Sequence, residues 1–333
     1  MTDIFVAQSK PSEALVGPLH TIAYVTSDEA NAVTILSKGM GLKASEWFSP
    51  SDAEKPNLDA YFGFESSENW KVCKVYRADN GANIQLRLFV VSRENPQVRP
   101  KVDGTYLGGL SIGFPLINTD KWEAHMRSLG FPSVVGVKRM EFSSPAGETY
   151  VSEEVHFTGL ENVYVLAVRR PDVFVPVGPL NEDAEIGAPA YSAQCVEDCD
   201  AAIAFYSDVL GYEIRRDMTM EVGDNSGLKL RKGSSERFVQ AFAPGANSGY
   251  IVLLDHGNDR KRADDIEGFG PPSRGLTMWS MPTSNIIEVR NRAEKAGIKC
   301  RHPLSATASP FLPNTDTIIL DDPNGFPVEI FAV

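Results

Sequence analysis

The sequence predicts an α+β protein built from four βαβββ modules, which together form two cupped mixed-sheet domains. One pattern occurs four times: a short apolar strand, a cap residue, an amphipathic helix and a glycine near the helix end. Each occurrence begins a segment long enough for one strand, one helix and three further strands. A chain of 333 residues also accommodates two domains of two modules each.

The third copy of this pattern is the clearest. The run from Ala190 to Val196 has the composition of a strand, and Asp198 follows it as a cap residue. Apolar residues then recur at helical spacing, and Gly211 lies where the helix should end. The first copy has the same spacing between its cap residue, Asp28, and its glycine, Gly41. Weaker copies begin near Leu110 and Leu276.

The chain ends in a tight turn followed by a strand that carries one acid. Asp322-Pro323-Asn324-Gly325 favours a turn, because proline presets φ while asparagine and glycine tolerate positive φ. Glu329 then lies among apolar residues suited to burial. Such an acid is explained by exposure at a sheet edge, by a buried ion pair or by metal ligation.

This closing strand and the Phe205-Tyr206 to Leu210-Gly211 helix resemble the vicinal oxygen chelate superfamily. That superfamily includes glyoxalases, bleomycin-resistance proteins and extradiol dioxygenases. The resemblance covers nearly all of the chain beyond an N-terminal arm. It implies that two modules close around a cup, and that metal ligands come from the first and last strands of the modules facing it.

The same pattern predicts the domain boundaries. Residues 1–17 form an N-terminal arm, and 18–170 and 189–333 each hold two modules. The segment 171–188 is rich in proline and is predicted to be a linker. A second irregular stretch, 257–272, joins the third and fourth modules and is either a linker or a lid.

Charge and composition restrict the partners. A net charge of −12 argues against nucleic acid or an anionic membrane, since both require a basic surface. The sequence shows neither a signal peptide nor an apolar stretch long enough to span a bilayer, and the four cysteines lack metal-binding spacing. We therefore expect a cytoplasmic protein with a small-molecule substrate, and a homodimer is compatible with the sequence.

The resemblance implies one divalent metal ion held by His20, Gln85 and Glu329. Slipping the alignment by two residues would place Arg87 at the position of Gln85. An extradiol dioxygenase needs two histidines in the C-terminal pair of modules, where Ala190 (or Tyr191) and Thr277 stand instead. The sequence therefore argues against ring-cleaving dioxygenase activity of the usual kind.

The pairing of modules decides between the remaining hypotheses. If the first module pairs with the fourth, His20 and Glu329 share a cup, which favours a metal-assisted, glyoxalase-like lyase or isomerase. If the first pairs with the second, both cups lack sufficient ligands. A metal-free enzyme using acid–base chemistry, or a protein that sequesters an aromatic compound, then becomes the alternative.

The family positions, the alternation of side chains along the strands and, for His156, its place in the strand-like run from Glu153 to Phe157 give further candidates. The candidate proton carriers are Glu329, Tyr164 and His156. The candidate substrate contacts are Tyr24, Trp279, Tyr191 and Thr277. Because several of them are aromatic, we expect a small oxygenated substrate, with an aromatic one fitting well.

Overall fold

The computed structural model describes residues 14–78, 84–143, 147–171, 177–180, 185–307, 311–312 and 314–333. Most of the predicted N-terminal arm (1–13) and much of the predicted linker (172–176 and 181–184) lie outside the described residues.

Within the described residues, each of the four modules contributes four strands, and an α-helix follows the first strand in all four. The strands are β1 (Thr21–Thr26), β2 (Lys43–Ala44), β3 (Lys71–Tyr76), β4 (Gln85–Val90), β5 (Gly108–Pro115), β6 (Ser133–Ser143), β7 (Thr149–Thr158), β8 (Tyr164–Arg169), β9 (Tyr191–Cys195), β10 (Glu213–Glu221), β11 (Ser235–Phe242), β12 (Tyr250–Asp255), β13 (Gly275–Thr283), β14 (Cys300–Thr307), β15 (Thr315–Asp321) and β16 (Pro327–Ala332). The α-helices are α1 (Glu29–Val33), α2 (Lys55–Phe62), α3 (Thr119–Ser128), α4 (Cys199–Ala204) and α5 (Ile286–Lys295).

The strands form two sheets of eight, and the order of the strands gives the pairing of the modules. One sheet runs β14-β15-β16-β13-β1-β4-β3-β2, so it joins the first module to the fourth. The other runs β10-β11-β12-β9-β5-β8-β7-β6 and joins the second module to the third. We call the concave spaces of these sheets the 1–4 cup and the 2–3 cup. The predicted fold class, tandem modules in two cupped mixed sheets, is confirmed.

The cap residues and glycines that predicted the helices stand at the ends of helices in the structure. Asp28 and Asp198 each accept a hydrogen bond from a backbone N–H in the first turn of the following helix. Both helices continue into a wider π-helical turn, and Gly41 and Gly211 then adopt positive φ angles of 70° and 79°. Within the described residues, no helix is long and apolar enough to span a membrane.

The two sheets share a core on the faces turned away from the cups. Trp279 of β13 donates from Nε1 to Ser192 Oγ of β9 at 3.0 Å, which links the central strands of the two sheets. Tyr24 of β1 donates to the carbonyl oxygen of Leu160 at 2.6 Å. Because side chains alternate along a strand, the neighbours of these residues face the cups.

Candidate functional site in the 2–3 cup

The 1–4 cup is filled by its own side chains. Tyr61 and Phe62, at the end of α2, are buried together with Phe64 and Trp70. The ring of Phe62 packs edge-on against Phe89 of β4, with 5.1 Å between the centroids. The cavity beside the polar end of this cluster measures about 10 Å³, which is barely room for one water molecule.

Glu329 lies at the bottom of this cup and is fully buried in an ion pair. Its Oε2 accepts from Arg87 Nη2 at 3.0 Å, and its Oε1 accepts from Arg87 Nη1 at 3.3 Å. The Tyr61 hydroxyl also donates to Oε1, at 2.5 Å. Burial would raise the pKa of Glu329, but the charge and hydrogen bonds of Arg87 hold that pKa below its usual value.

These contacts do not fit a divalent cation held by His20, Gln85 and Glu329. Both carboxylate oxygens already accept hydrogen bonds, and the guanidinium of Arg87 supplies the positive charge that a buried carboxylate requires. Burial, and then the charge of Arg87, lower the pKa of His20. The positive charge of Arg87 would itself repel a cation placed beside Glu329. We therefore assign no metal-assisted step to this cup.

The other residues predicted for this site lie around its edge or behind it. His20 precedes β1, and its Nδ1 is 2.8 Å from Thr21 Oγ1 and 3.4 Å from Gln85 Nε2. Thr277 is the extra residue where β13 shifts register against β1. Tyr24 and Trp279 point into the core between the sheets, away from the cup.

The 2–3 cup contains a cavity of about 350 Å³. Its volume and mainly apolar walls are typical of a site for a small molecule. Tyr191 and Tyr250 are stacked with 4.9 Å between their ring centroids. Gly113 leaves room for the Tyr191 ring, because a Cβ at this position would lie 1.9 Å from it. The aromatic residues that line the cavity are Phe142, Tyr150, Tyr191, Phe238 and Tyr250.

One wall of this cavity carries a histidine oriented by a carboxylate. Glu154 and His156 are two residues apart on β7, so both face the cup, and His156 Nε2 is 3.1 Å from Glu154 Oε2. Burial would raise the pKa of Glu154, but the hydrogen bond from His156 and the charge of Arg170 lower it. An ionised carboxylate only accepts hydrogen bonds, so His156 donates from Nε2.

The second nitrogen of His156 is consequently the one that can act as a base. In the neutral imidazole with Nε2–H, Nδ1 carries the lone pair. His156 Nδ1 is buried without a hydrogen-bond partner among the described residues, and the side chain is only 8% exposed. A carboxylate that fixes the tautomer and the direction of an imidazole is a common arrangement for a general base.

The wall formed by β11 carries a second acid in a different environment. Burial, and then the charge of Glu154, raise the pKa of Glu236 to about 7. His256 Nδ1 lies 3.6 Å from Glu236 Oε2. Burial, and then the charge of Arg99, lower the pKa of His256 to about 4, so this histidine is neutral at neutral pH. Glu236 can thus hold or release a proton near neutrality.

The structure brings together only some of the residues predicted from the sequence. His156 and Tyr191 line the cavity, and Tyr164 belongs to the same sheet. The Tyr164 hydroxyl donates to the carbonyl oxygen of Leu228 at 3.1 Å, and burial raises the pKa of that hydroxyl. Glu329 lies in the other cup.

The two acids that accompany His156 in the cavity, Glu154 and Glu236, are not among the residues predicted from the sequence. Glu154 and Glu236 lie on the third strand of the second and third modules, whereas the metal ligands were expected on first and last strands. The available signal was alternation on β7, where Ser152, Glu154 and His156 occupy successive positions of one face.

Comparisons with known proteins agree with this architecture. The model of the Glyoxalase/Bleomycin resistance protein/Dioxygenase superfamily matches residues 189–330, whereas no curated protein matches the sequence. The structure is similar to glyoxalase I from Zea mays, with a TM-score of 0.61 and 13% identity, covering 97% of this chain and 94% of that one. It is also similar to a candidate dioxygenase from Bacillus subtilis, with a TM-score of 0.56 and 14% identity over 96% and 86% of the two chains.

At these identities the structural similarities establish the fold alone. The resemblance predicted from the strand, helix and glycine pattern is confirmed, since the family model covers the third and fourth modules. Residues 189–330, which hold the third and fourth modules, therefore match the Glyoxalase/Bleomycin resistance protein/Dioxygenase superfamily.

Proposed function

We propose that the chain is an enzyme that transfers protons on a small oxygenated molecule bound in the 2–3 cup. One observation carries this proposal: a single cavity of about 350 Å³ is lined by both His156 and Glu236. Glu154 leaves His156 with a basic Nδ1 atom, while burial gives Glu236 a pKa of about 7. A base that is oriented by a carboxylate and an acid that holds its proton near neutral pH are suited to opposite roles in acid–base catalysis.

The reaction these groups support best is isomerisation of a 2-hydroxycarbonyl compound. His156 Nδ1 removes the proton from the carbon that bears the hydroxyl group, and Glu236 donates its proton to the carbonyl oxygen. This gives an enediol. His156 then returns its proton to the former carbonyl carbon, and the ionised Glu236 takes the hydroxyl proton from the other carbon. Both residues recover their starting protonation states, and the product is an isomer of the substrate.

The walls of the cavity favour a substrate with an apolar, planar body. Tyr191 and Tyr250 form one aromatic wall, and Phe142 and Tyr150 stack on another with 5.8 Å between centroids. Aromatic rings pack favourably against further rings in offset or edge-to-face geometry. We therefore propose aromatic 2-hydroxyketones as the substrate class to test first.

Proton exchange with solvent provides the assay. The protein is incubated in D2O with a panel of aromatic 2-hydroxyketones, and loss of the carbon-bound proton is followed by ¹H NMR. We expect wild-type exchange above the uncatalysed rate, and Glu236→Gln and His156→Gln to lower it by about 10²–10⁴-fold, the usual contribution of general acid–base catalysis. Glu294→Gln, on the exposed face of α5, is the matched control and should retain the wild-type rate.

Two results would contradict the proposal. One is a wild-type protein that accelerates exchange of no compound in the panel. The other is exchange that survives undiminished in folded Glu236→Gln and His156→Gln.

A protein that sequesters an aromatic compound is the second candidate. The stacked rings of Tyr191 and Tyr250 favour it, because they line the cavity and offer a ligand apolar contact without a reactive group. A sequestering protein would bind members of the panel without exchange, and Glu236→Gln would leave the Kd unchanged.

The metal-assisted hypothesis is tested separately. Elemental analysis of protein purified without chelator measures the bound metal directly. One equivalent of a divalent metal, lost in His20→Ala and in Glu329→Ala, would support a site in the 1–4 cup. The ion pair between Arg87 and Glu329 leads us to expect the same metal content in these variants as in the wild type.

A further inference from the structure

The loop between β10 and β11 covers the cavity of the 2–3 cup. We call residues 222–234 the lid. Six of its residues line the cavity: Val222, Gly223, Ser226, Gly227, Leu228 and Leu230. The irregular stretch 257–272, which the sequence offered as a linker or a lid, contributes no residue to this lining. The cavity is therefore closed on this side by the lid.

A few polar contacts fasten the lid to the rest of the cup. Lys138 of β6 donates from Nζ to the carbonyl oxygen of Asp224 at 3.1 Å, and to that of Asn225. The carbonyl oxygen of Leu228 accepts from the Gly104 N–H at 2.8 Å and from the Tyr164 hydroxyl at 3.1 Å. Contacts of this number and kind can open without unfolding the sheet beneath them.

The lid lies directly on the proposed general base. A Cβ atom added to Gly227 would be 2.2 Å from His156 Nδ1, so the Gly227 backbone covers the nitrogen that carries the lone pair. No substrate carbon can reach Nδ1 while Gly227 remains there. Because Gly227 has no side chain, it seals the imidazole from water without displacing it.

We infer that residues 222–234 are a mobile lid, and that Gly227 must lift from His156 before a substrate can reach Nδ1. This inference rests on the proposed function for the role of His156, but the movement itself can be measured without any substrate. Lifting the lid also breaks the hydrogen bond from the Gly104 N–H to the carbonyl oxygen of Leu228. The exchange rate of the Gly104 amide proton therefore reports the movement from outside the lid.

Hydrogen–deuterium exchange followed by mass spectrometry tests the inference. In Gly227→Ala the new methyl group collides with the imidazole and disfavours the closed lid. We expect the peptides that contain Gly104 and Leu228 to exchange about tenfold faster than in the wild type. Gly223→Ala is the matched control, since a Cβ there meets nothing within 4 Å and should leave exchange unchanged.

Two further variants separate the lid contact from general loss of stability. Lys138→Ala removes the contacts of this lysine with the carbonyl oxygens of Asp224 and Asn225 without adding a methyl group to the lid, and it should also accelerate exchange. In His156→Ala the collision is removed, so adding Gly227→Ala should produce no further acceleration. The inference is overturned if Gly227→Ala exchanges like Gly223→Ala, or if its effect persists in the His156→Ala background. Either result leaves the assay of proton transfer on 2-hydroxyketones unaffected.

Discussion

At the scale of single residues, the contact with Arg87 gives Glu329, the acid in the last strand, a structural explanation in place of metal ligation. An acid in the last strand is compatible with metal ligation, yet here the guanidinium of Arg87 forms two hydrogen bonds with the carboxylate. The side chains of Arg87 and Glu329 are 3% and 0% exposed, so a small movement cannot bring either charge into contact with water. The pair is therefore a structural element of the 1–4 cup.

Removing one partner of this pair should be far more damaging than removing both. Arg87→Met leaves the Glu329 charge buried without its positive partner, and we expect a loss of about 3–5 kcal/mol in the free energy of unfolding. The double variant Arg87→Met/Glu329→Met should lose less than Arg87→Met alone. Urea denaturation measures both values. Equal losses in the single and double variants would show that packing, and not charge, dominates.

Asp322 should make stability depend on pH. Burial raises its pKa to about 6, above its usual value of about 4. Its stabilising contribution is therefore fully present below about pH 4 and is lost as pH rises through about 6. Two pKa units correspond to roughly 3 kcal/mol.

The variant Asp322→Asn isolates this contribution. The retained oxygen can still accept from the backbone N–H groups of Asn324 and Phe326, and Gln194 can rotate its amide to pair with the new NH2 group. We expect Asp322→Asn to gain stability relative to the wild type as pH rises from 4 to 7. Urea denaturation at both pH values measures this, and a difference that does not change with pH would contradict the assignment.

At the scale of elements, α2 explains why two related cups differ. Its last turn places Tyr61 and Phe62 inside the 1–4 cup, whereas the space within the 2–3 cup stays open beneath the lid. Phe62→Ala should cost about 3–5 kcal/mol in unfolding free energy, because it leaves a cavity in a packed aromatic cluster. Phe238→Ala, at the cavity of the 2–3 cup, should reduce ligand affinity more than stability. Urea denaturation and ligand titration of both variants measure these effects. A Phe62→Ala variant that mainly lost ligand affinity, or a Phe238→Ala variant that mainly lost stability, would contradict the assignment of binding to the 2–3 cup.

The elements themselves were largely predictable, but the orientation of their side chains was not. Caps such as Asp198 and terminal glycines such as Gly211 act within a few residues, so the sequence shows them directly. The cup-facing positions depend on register, and an extra residue at Thr277 reverses the faces of the residues before it. The contact of Arg87 with Glu329 depends on strands that are far apart in sequence.

At the scale of the whole molecule, each sheet draws strands from both halves of the chain. The first and fourth modules share one sheet, and the second and third share the other. We therefore expect fragments 1–170 and 171–333 not to fold separately, because each would hold only half of each sheet. Mixing them should restore one cooperative unfolding transition, measured by circular dichroism. Cooperative folding of either fragment alone would contradict this.

The claim central to this account is that the 2–3 cup is the functional one and that the 1–4 cup is closed. Anomalous diffraction from crystals soaked with a brominated aromatic 2-hydroxyketone tests it most directly. We predict one bromine site in the 2–3 cup, with the oxygens of the ligand directed towards His156 and Glu236. A bromine site in the 1–4 cup beside Arg87 and Glu329, with the 2–3 cup empty, would contradict the account.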